Sequence, residues 1–318
     1  MGIWSYFLRR LVQIPLVVFF VTVIIFALMK VTPGDPIAIM LGPYATPETM
    51  AALQAEFYLD RSIPLQYVLW VRDLMSGDLG HSIRSQELVT DLVATRFPVS
   101  IVIAGMATLV SLLIAIPAGV YAAYRRNSPW DYGLMGFTTV GLSVPTFTLA
   151  LVLILFFALK LRWVPISGIG LRTWSDGFAA FLLPYVLPVA ALAVTTIAEL
   201  ARIVRASMLE VLEQEFIRVA RAQGIGDALI LVAHALKNVL IPVITVIAVV
   251  FAFQVGNTIT IEYLFSIPGV GSALIAAVIN RDFPVIQGLT LVVGVFFIAM
   301  NLLADILYAV VDPRIRYG

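Results

Sequence analysis

The stretch EVLEQEFIRVARAQGIGDALILVAHALKNVLIP, residues 210–242, is a charged segment between two apolar runs that are each long enough to cross a bilayer. Apolar residues recur in it at helical spacing, and Gly224-Ile225-Gly226 interrupts the pattern. A connection between two membrane helices needs only a few polar residues. This segment is much longer. It is either an interfacial helix that returns the chain to the bilayer or a structure that a partner binds outside the membrane.

Composition sets the class of protein. Of the 318 residues, 61% are hydrophobic and 12% are charged, and the mean hydropathy is +1.01. A soluble domain carries about 25% charged residues. Apolar runs of this length form helices in lipid, because their backbone groups must be satisfied internally. We therefore predict an all-α integral membrane protein with six transmembrane helices, at residues 11–29, 100–124, 133–159, 178–198, 239–261 and 284–306.

The distribution of Lys and Arg predicts the orientation, because basic residues accumulate in cytoplasmic loops. With the N-terminus inside, the basic residues of the inner flanks are Arg9, Arg10, Arg125, Arg126, Arg202, Arg205, Arg218, Arg221, Lys237, Arg314 and Arg316. Those of the short outer loops are only Lys160, Arg162, Arg172 and Arg281. Both termini, 1–10 and 312–318, and the 201–237 connection are therefore expected in the cytoplasm. The first run has no small-residue cleavage site and is expected to remain as a span.

Residues 30–98 form the one sizeable polar segment that this orientation places outside. It begins with a proline-rich exit at 32–36, and short helices are predicted from Pro47, over 64–75 and over 86–96. A segment of this size has little core of its own, so it should pack on the outer ends of the spans. It is either a stabilising collar or a docking surface for an external partner.

Several kinds of active site are excluded by the residues. There is no cysteine, and the two histidines, His81 and His234, are expected on opposite sides of the membrane. The chain has no G-x-x-x-x-G-K-[ST] loop for a nucleotide and no G-x-S-x-G motif. Pro268–Gly271 reads as an outer turn. No basic aromatic cluster indicates nucleic acid. We expect a protein that is not an enzyme by itself and that binds no cofactor or metal.

Acidic residues in membrane helices are functional candidates, because their burial in lipid is costly. Glu199, Glu262 and Asp305 all lie near the ends of predicted spans, where structural pairing is expected, for example of Glu199 with Arg202. No carboxylate is expected at mid-bilayer, which argues against a proton-driven transporter. A transporter driven by another ion and a membrane scaffold without transport activity remain alternatives.

The 201–237 connection is expected to contain two helices. Apolar residues up to Val219 predict that the fourth span continues as a helix into the cytoplasm. Gly224 and Gly226 would end that helix. Asp227 would cap a second, amphipathic helix over 228–238 that lies along the membrane surface.

Several segments resemble one family. ARAQG (220–224), HALKN (234–238) and LIPVIT (240–245) resemble the cytoplasmic signature of permeases in ATP-binding-cassette (ABC) importers. FLRRLVQIP, GDLGHSIRS, IEYLFSIPGVG and DILYAVVDPRIRYG resemble the oligopeptide, dipeptide and nickel permeases, in their first (B-type) permease subunit. The resemblance implies the type I importer fold over 97–311, with 30–98 as an extracytoplasmic helical insertion.

The resemblance also implies partners. A permease of this family pairs with a homologous second permease, binds two cytoplasmic ATPase subunits and receives substrate from an extracytoplasmic binding protein. It would import peptides or related small solutes across a bacterial inner membrane, with ATP and Mg²⁺ bound by the ATPase subunits. Arg218 stands where the general signature has Glu, and Leu236-Lys237 stands where it has Leu-Pro. The implied ATPase contact is residues 215–234, with Glu215, Arg218, Ala220, Arg221, Gly224, Asp227 and His234.

Overall fold

The computed structural model describes residues 3–31, 46–56, 58–169 and 177–311. The predicted exit at 32–36 and the C-terminus at 312–318 lie outside the described residues. The described chain is almost entirely helical, which confirms the predicted all-α fold. Its helices are α1 (Ile3–Val31), α2 (Pro47–Glu56), α3 (Ile63–Met75), α4 (Val89–Tyr124), α5 (Pro129–Ser143), α6 (Thr146–Leu153, continued by the π-helix Ile154–Lys160), α7 (Phe178–Leu182), α8 (Val186–Leu212), α9 (Glu215–Ala222), α10 (Leu236–Leu264), α11 (Val270–Asn280) and α12 (Phe283–Val311).

Five helical stretches of the described chain are long and apolar enough to cross a membrane, and the pair α5–α6 gives a sixth if it counts as one span. The longest helix is α4, whose 36 residues extend about 54 Å at 1.5 Å per residue. This exceeds the hydrocarbon core of roughly 30 Å. The separate helix predicted over 86–96 is wrong, because α4 already begins at Val89 and Pro98 lies inside it without ending it.

The third predicted span, 133–159, is not one straight helix. Helices α5 and α6 meet at an angle of 101°. The break falls at Val144 and Pro145, both with extended ψ angles, of 121° and 138°. A proline disfavours the helical conformation of the residue before it and has no N–H for the helical ladder. Pro145 therefore divides an apolar run that composition alone presents as continuous.

Helix α8 is the centre of the bundle and packs against α4, α5, α6 and α10. Its contact with α4 is built from small residues, which include Ala115, Gly119 and Ala201. Small side chains let membrane helices approach closely, so that dispersion contacts stabilise the pair. At Gly119 the approach is so close that an added Cβ atom would lie 2.8 Å from both Val204 Cβ and Ala201 O.

The polar 46–88 segment packs against the bundle through α3. The ring centroid of Phe26 in α1 lies 5.4 Å from that of Tyr67 and 6.0 Å from that of Trp70. The hydroxyl groups of Thr22 and Tyr67 are 2.9 Å apart and share a hydrogen bond. Helix α3 therefore lies on α1, which matches the expectation that this segment needs the spans for its stability.

The helices around α10 differ from the expectation in two respects. The helix predicted as an independent surface element over 228–238 is the beginning of α10, since the backbone stays helical from Asp227 through the π-helix Ile230–Ala235 into α10. The turn predicted at Pro268–Gly271 leads into a further helix, α11, with 11 residues. At about 16 Å it is too short to span a membrane.

The close contact at Gly119 gives a stability prediction. Replacing Gly119 with Ala should destabilise the protein by about 1–3 kcal/mol, because the added methyl group forces α4 and α8 apart. Gly136→Ala on α5 is the matched control, since a Cβ atom there meets no atom within 4 Å. Thermal unfolding in detergent, followed by tryptophan fluorescence, measures both. Equal unfolding temperatures for the two variants would contradict the packing described for α4 and α8.

Candidate functional site

The connection between α8 and α10 contains a short amphipathic helix, α9. The chain leaves α8 at Glu213, and Gln214 adopts an extended conformation (φ −72°, ψ 153°) before α9 begins. Ile217 is 0% exposed, whereas Val219 is 54% exposed. Helix α9 is therefore buried along one side and open along the other.

The buried side of α9 belongs to a hydrophobic cluster shared with both neighbouring helices. Ile217 and Ala220 lie in it with Met208 of α8 and with Ile230 and Val239, which precede and begin α10. Fully burying an isoleucine side chain contributes about 1.5–3 kcal/mol. Helix α9 is thereby fixed to the end of α8 and to the beginning of α10 at once.

Gly224 ends α9 in the way the sequence predicts. Its φ is +79°, in the left-handed region that side chains with a Cβ atom rarely adopt. Gly224 N donates to Arg221 O at 3.0 Å, and Ile225 N donates to Ala220 O at 3.2 Å. These two bonds form a Schellman motif, which satisfies carbonyl groups at the end of a helix. The motif turns the chain from α9 toward Asp227.

Both ends of the connection contact the turn between α4 and α5. Arg126 Nη1 donates to Glu213 Oε1 at 3.0 Å, and Tyr124 OH donates to Asp227 Oδ2 at 3.1 Å. Arg221 Nε lies 3.9 Å from Asp227 Oδ1. These groups are exposed, so each contact contributes at most about 1 kcal/mol. They orient the connection, and the apolar cluster holds it.

A buried ion pair beside this turn was not expected from the sequence. Arg205 of α8 makes a two-bond salt bridge with Asp131 of α5, and its Nη2 donates to Asp131 Oδ2 at 2.7 Å. The Asp131 side chain is 2% exposed, and its Oδ2 also accepts from Asn127 N at 3.0 Å. Locally, the sequence Ser128-Pro-Trp-Asp131 indicates only the start of a helix with an acidic residue in its first turn. It gives no indication that Asp131 pairs with Arg205.

The residues assigned to the ATPase contact fall into three groups. Glu215, Arg218 and Arg221 are exposed on α9, while Ala220 is buried beneath it. Gly224 forms the turn, and Asp227 follows it at the exposed start of the α10 lead-in. His234 is half-buried within the π-helix, with Nδ1 3.3 Å from Leu229 O. The structure thus brings the three charged residues of α9 to one exposed side and leaves His234 on the α10 lead-in.

Two apolar residues complete that exposed side. Phe216 is 39% exposed and Val219 is 54% exposed, although both continue the helical spacing of the apolar residues of α8. The break at 213–214 changes the phase of the helix and turns them outward. We call Glu215, Phe216, Arg218, Val219 and Arg221 the α9 surface. Aromatic and Arg residues with a charged rim are typical of protein–protein contacts.

Two further observations concern ion pairing and metal binding by the charged residues. Among the salt bridges of the described residues there is none between Glu199 and Arg202, which are both exposed. Among the residues that the structure describes, no group of three His, Asp or Glu residues is arranged to hold a metal ion.

Comparisons with known proteins place the chain in a family. Residues 115–317 match the model of the binding-protein-dependent transport system inner membrane component, and residues 3–104 match the N-terminal model of the same membrane components. A probable peptide ABC transporter permease protein of Sinorhizobium fredii is 38% identical over 98% of this chain and 99% of its own length. The oligopeptide transport system permease protein of Haemophilus influenzae is 37% identical over 98% of this chain and 99% of its own length.

The two family models together cover nearly the whole chain, and the relatives match it from end to end. The protein therefore belongs to the family of binding-protein-dependent transport system inner membrane components, the permeases of ABC importers.

Proposed function

We propose that this permease imports peptides, or small solutes related to them, by alternating access powered by separate ATPase subunits. The peptide class is taken from the printed names of the relatives. The single observation that carries the mechanism is α9, which joins the bundle through Ile217 and Ala220 while Phe216 and Val219 remain exposed. Such a helix can pass the movement of a bound partner to the bundle.

The energy comes from other chains in this proposal. The sequence has no phosphate-binding loop, so two ATPase subunits bind ATP and Mg²⁺, and this chain needs no cofactor and performs no catalysis. A homologous second permease completes the transmembrane pathway, and an extracytoplasmic binding protein supplies the substrate. No nucleic acid takes part in the proposed transport.

The orientation follows from the basic residues. We place both termini, the α4–α5 turn and α9 in the cytoplasm of a bacterium, and the 46–88 segment and α11 outside its inner membrane. Arg125, Arg126, Arg218 and Arg221 then lie on the cytoplasmic side. This arrangement puts the α9 surface where an ATPase can reach it.

We assign fewer residues to the proposed ATPase contact than the resemblance implied. Residues 227–234 belong to the helical lead-in of α10, so we assign the direct contact to the α9 surface and the Gly224 turn. Asp227 and His234 then act by fixing the beginning of α10. ATP binding would bring the ATPase subunits together and favour one of two conformations of the bundle, since a partner can only shift an equilibrium between states that it binds unequally.

Cysteine cross-linking tests the contact, because the chain has no native cysteine. Val219→Cys should cross-link to the co-expressed ATPase subunit in inside-out vesicles, because Val219 is 54% exposed. Ile217→Cys, two residues away on the same helix, is the matched control and should give no product, because Ile217 is 0% exposed. The products are identified by mass spectrometry. The assignment is wrong if Val219→Cys cross-links no ATPase while the complex still takes up peptide.

The turn after α9 gives a second test. Gly224→Val should reduce uptake by roughly five- to a hundredfold, because a β-branched residue in the left-handed region costs about 1–3 kcal/mol. Gly226→Val should be tolerated, since Gly226 has an ordinary extended conformation (φ −68°, ψ 146°) and open space around it. Peptide uptake in proteoliposomes is measured, with membrane insertion of both variants checked by immunoblot. Equal uptake by the two variants would contradict the role of the turn.

A further inference from the structure

A carboxylate from α10 is buried at the start of α11. Glu262 is 0% exposed, and its Oε2 accepts from Gly271 N at 2.6 Å and from Ser272 N at 3.3 Å. The sequence placed Glu262 near the end of a span with structural pairing, and the partners prove to be backbone amides. An anion is stabilised at a helix N-terminus, where the first N–H groups have no intrahelical acceptor.

The residues around this carboxylate leave no spare room. A Cβ atom at Gly269 would overlap the Glu262 carboxylate, and the three nearest atoms there all belong to Glu262. At Gly271 the overlap would include the backbone of Ile259 as well as Glu262. The two glycines therefore let the start of α11 lie directly on α10.

Helix α4 also holds the start of α11. Ser100 is 1% exposed, and its Oγ accepts from Val270 N at 3.0 Å. The first three amides of α11, from Val270 to Ser272, are thus bound by side chains of two different helices. A helix end held in this way moves only with the helices that hold it.

The other end of α11 is bound to the 46–88 segment. Ser82 Oγ donates to Asp282 Oδ2 at 2.5 Å, and Ile83 N donates to Asp282 Oδ1 at 3.3 Å. Arg84 also contacts Asn280, the last residue of α11. Asp282 and Ser82 are each 5% exposed. Helix α11 therefore connects α10 to the segment that precedes α4.

Helix α10 runs from α9 to this buried carboxylate. The backbone is helical from Asp227 to Leu264, a length of about 55 Å. Its first residues share the hydrophobic cluster of α9 through Ile230, and Glu262 lies in its last turn. Helix α10 therefore connects the hydrophobic cluster of α9 to the point where Glu262 binds α11.

We propose that Glu262 is a positioning residue that fixes α11 to α10, so that α11 closes and opens the outer end of the pathway in step with the ATPase subunits. This inference rests on the proposed function. Val278 and Ile279, in the last turn of α11, are 56% and 67% exposed, and they are the apolar side chains that this movement displaces.

Labelling at α11 tests the inference in the assembled transporter, reconstituted with both permeases, the ATPase subunits and the binding protein. Val278→Cys is labelled with a membrane-impermeant maleimide in the resting state and after trapping with ATP and vanadate. We expect the labelling rate to differ about fivefold or more between the two states. In the Glu262→Ala background the difference should fall below about twofold, because the buried amides of α11 lose their acceptor.

A split between transport and hydrolysis separates positioning from a general structural role. In Glu262→Ala, uptake should fall about tenfold or more, while the partner subunits still hydrolyse ATP, so that less substrate is moved per ATP. A purely structural role would lower both activities in proportion to the amount of assembled complex. Val278→Cys labelling that still follows the state in Glu262→Ala, with normal uptake, would overturn the inference.

Two glycine variants test the same contact with and without the carboxylate, and Gly269→Ala alone keeps the test decisive if Glu262→Ala fails to assemble. Gly269→Ala should by itself reduce the state-dependent labelling, because the methyl group displaces the carboxylate. Added to Glu262→Ala, it should cause no further loss, since the three atoms nearest to a Cβ at Gly269 all belong to the carboxylate that Glu262→Ala removes. Gly271→Ala is the matched control and should cause further loss in both backgrounds, because the Ile259 backbone remains. Equal additional losses from the two glycine variants would contradict the proposed contact.

These experiments separate a failure of the proposed function from a failure of the Glu262 inference. Peptide uptake that does not depend on the ATPase subunits would contradict the proposed function. ATP-driven uptake with α11 labelling that never depends on Glu262 would remove only this inference.

Discussion

A backbone N–H or C=O group buried in a membrane has no water to bind, and this constraint shapes the whole structure. It makes the described chain helical and leaves unsatisfied groups only where helices begin, end or break. Those places carry the features on which the proposed mechanism depends. The Schellman turn at Gly224 closes α9, and Glu262 and Ser100 bind the first amides of α11. Pro145, which needs no partner for an N–H, sits at the bend between α5 and α6.

The free-energy contributions of the individual contacts show which of them hold α9 in place. Its exposed ionic contacts, such as Arg126 with Glu213, contribute at most about 1 kcal/mol each. Burial of Ile217 alone contributes about 1.5–3 kcal/mol. The apolar cluster shared by α8, α9 and α10 therefore dominates. This makes α9 a fixed extension of the two helices, and the buried Asp131–Arg205 pair ties α8 to α5 close by. The bundle is thus connected to α9 through apolar packing.

The sequence predicted the class of fold well, and the predicted site stays a prediction. Long runs without charged residues predict transmembrane helices directly, because charged side chains are costly in lipid. A glycine with positive φ was predictable at Gly224, because such a residue commonly ends a helix. The remaining features depend on contacts between distant residues. Asp131 and Arg205 are 74 positions apart, so no local pattern pairs them. The break at 213–214 contains neither glycine nor proline, and it turned Phe216 and Val219 outward against their helical spacing. Helix α11 was missed because a short apolar run gives no spanning signal.

The central claim is that α9 and the beginning of α10 move as one body. Electron paramagnetic resonance between spin labels at Val219→Cys and Val232→Cys measures it directly, because both positions are more than half exposed. We predict that their separation changes by less than about 2 Å between the resting and the ATP–vanadate states, and that the separation from Val219 to Val278 is equally constant, because Glu262 fixes α11 to α10. A change of more than about 2 Å between Val219 and Val232 would contradict this claim.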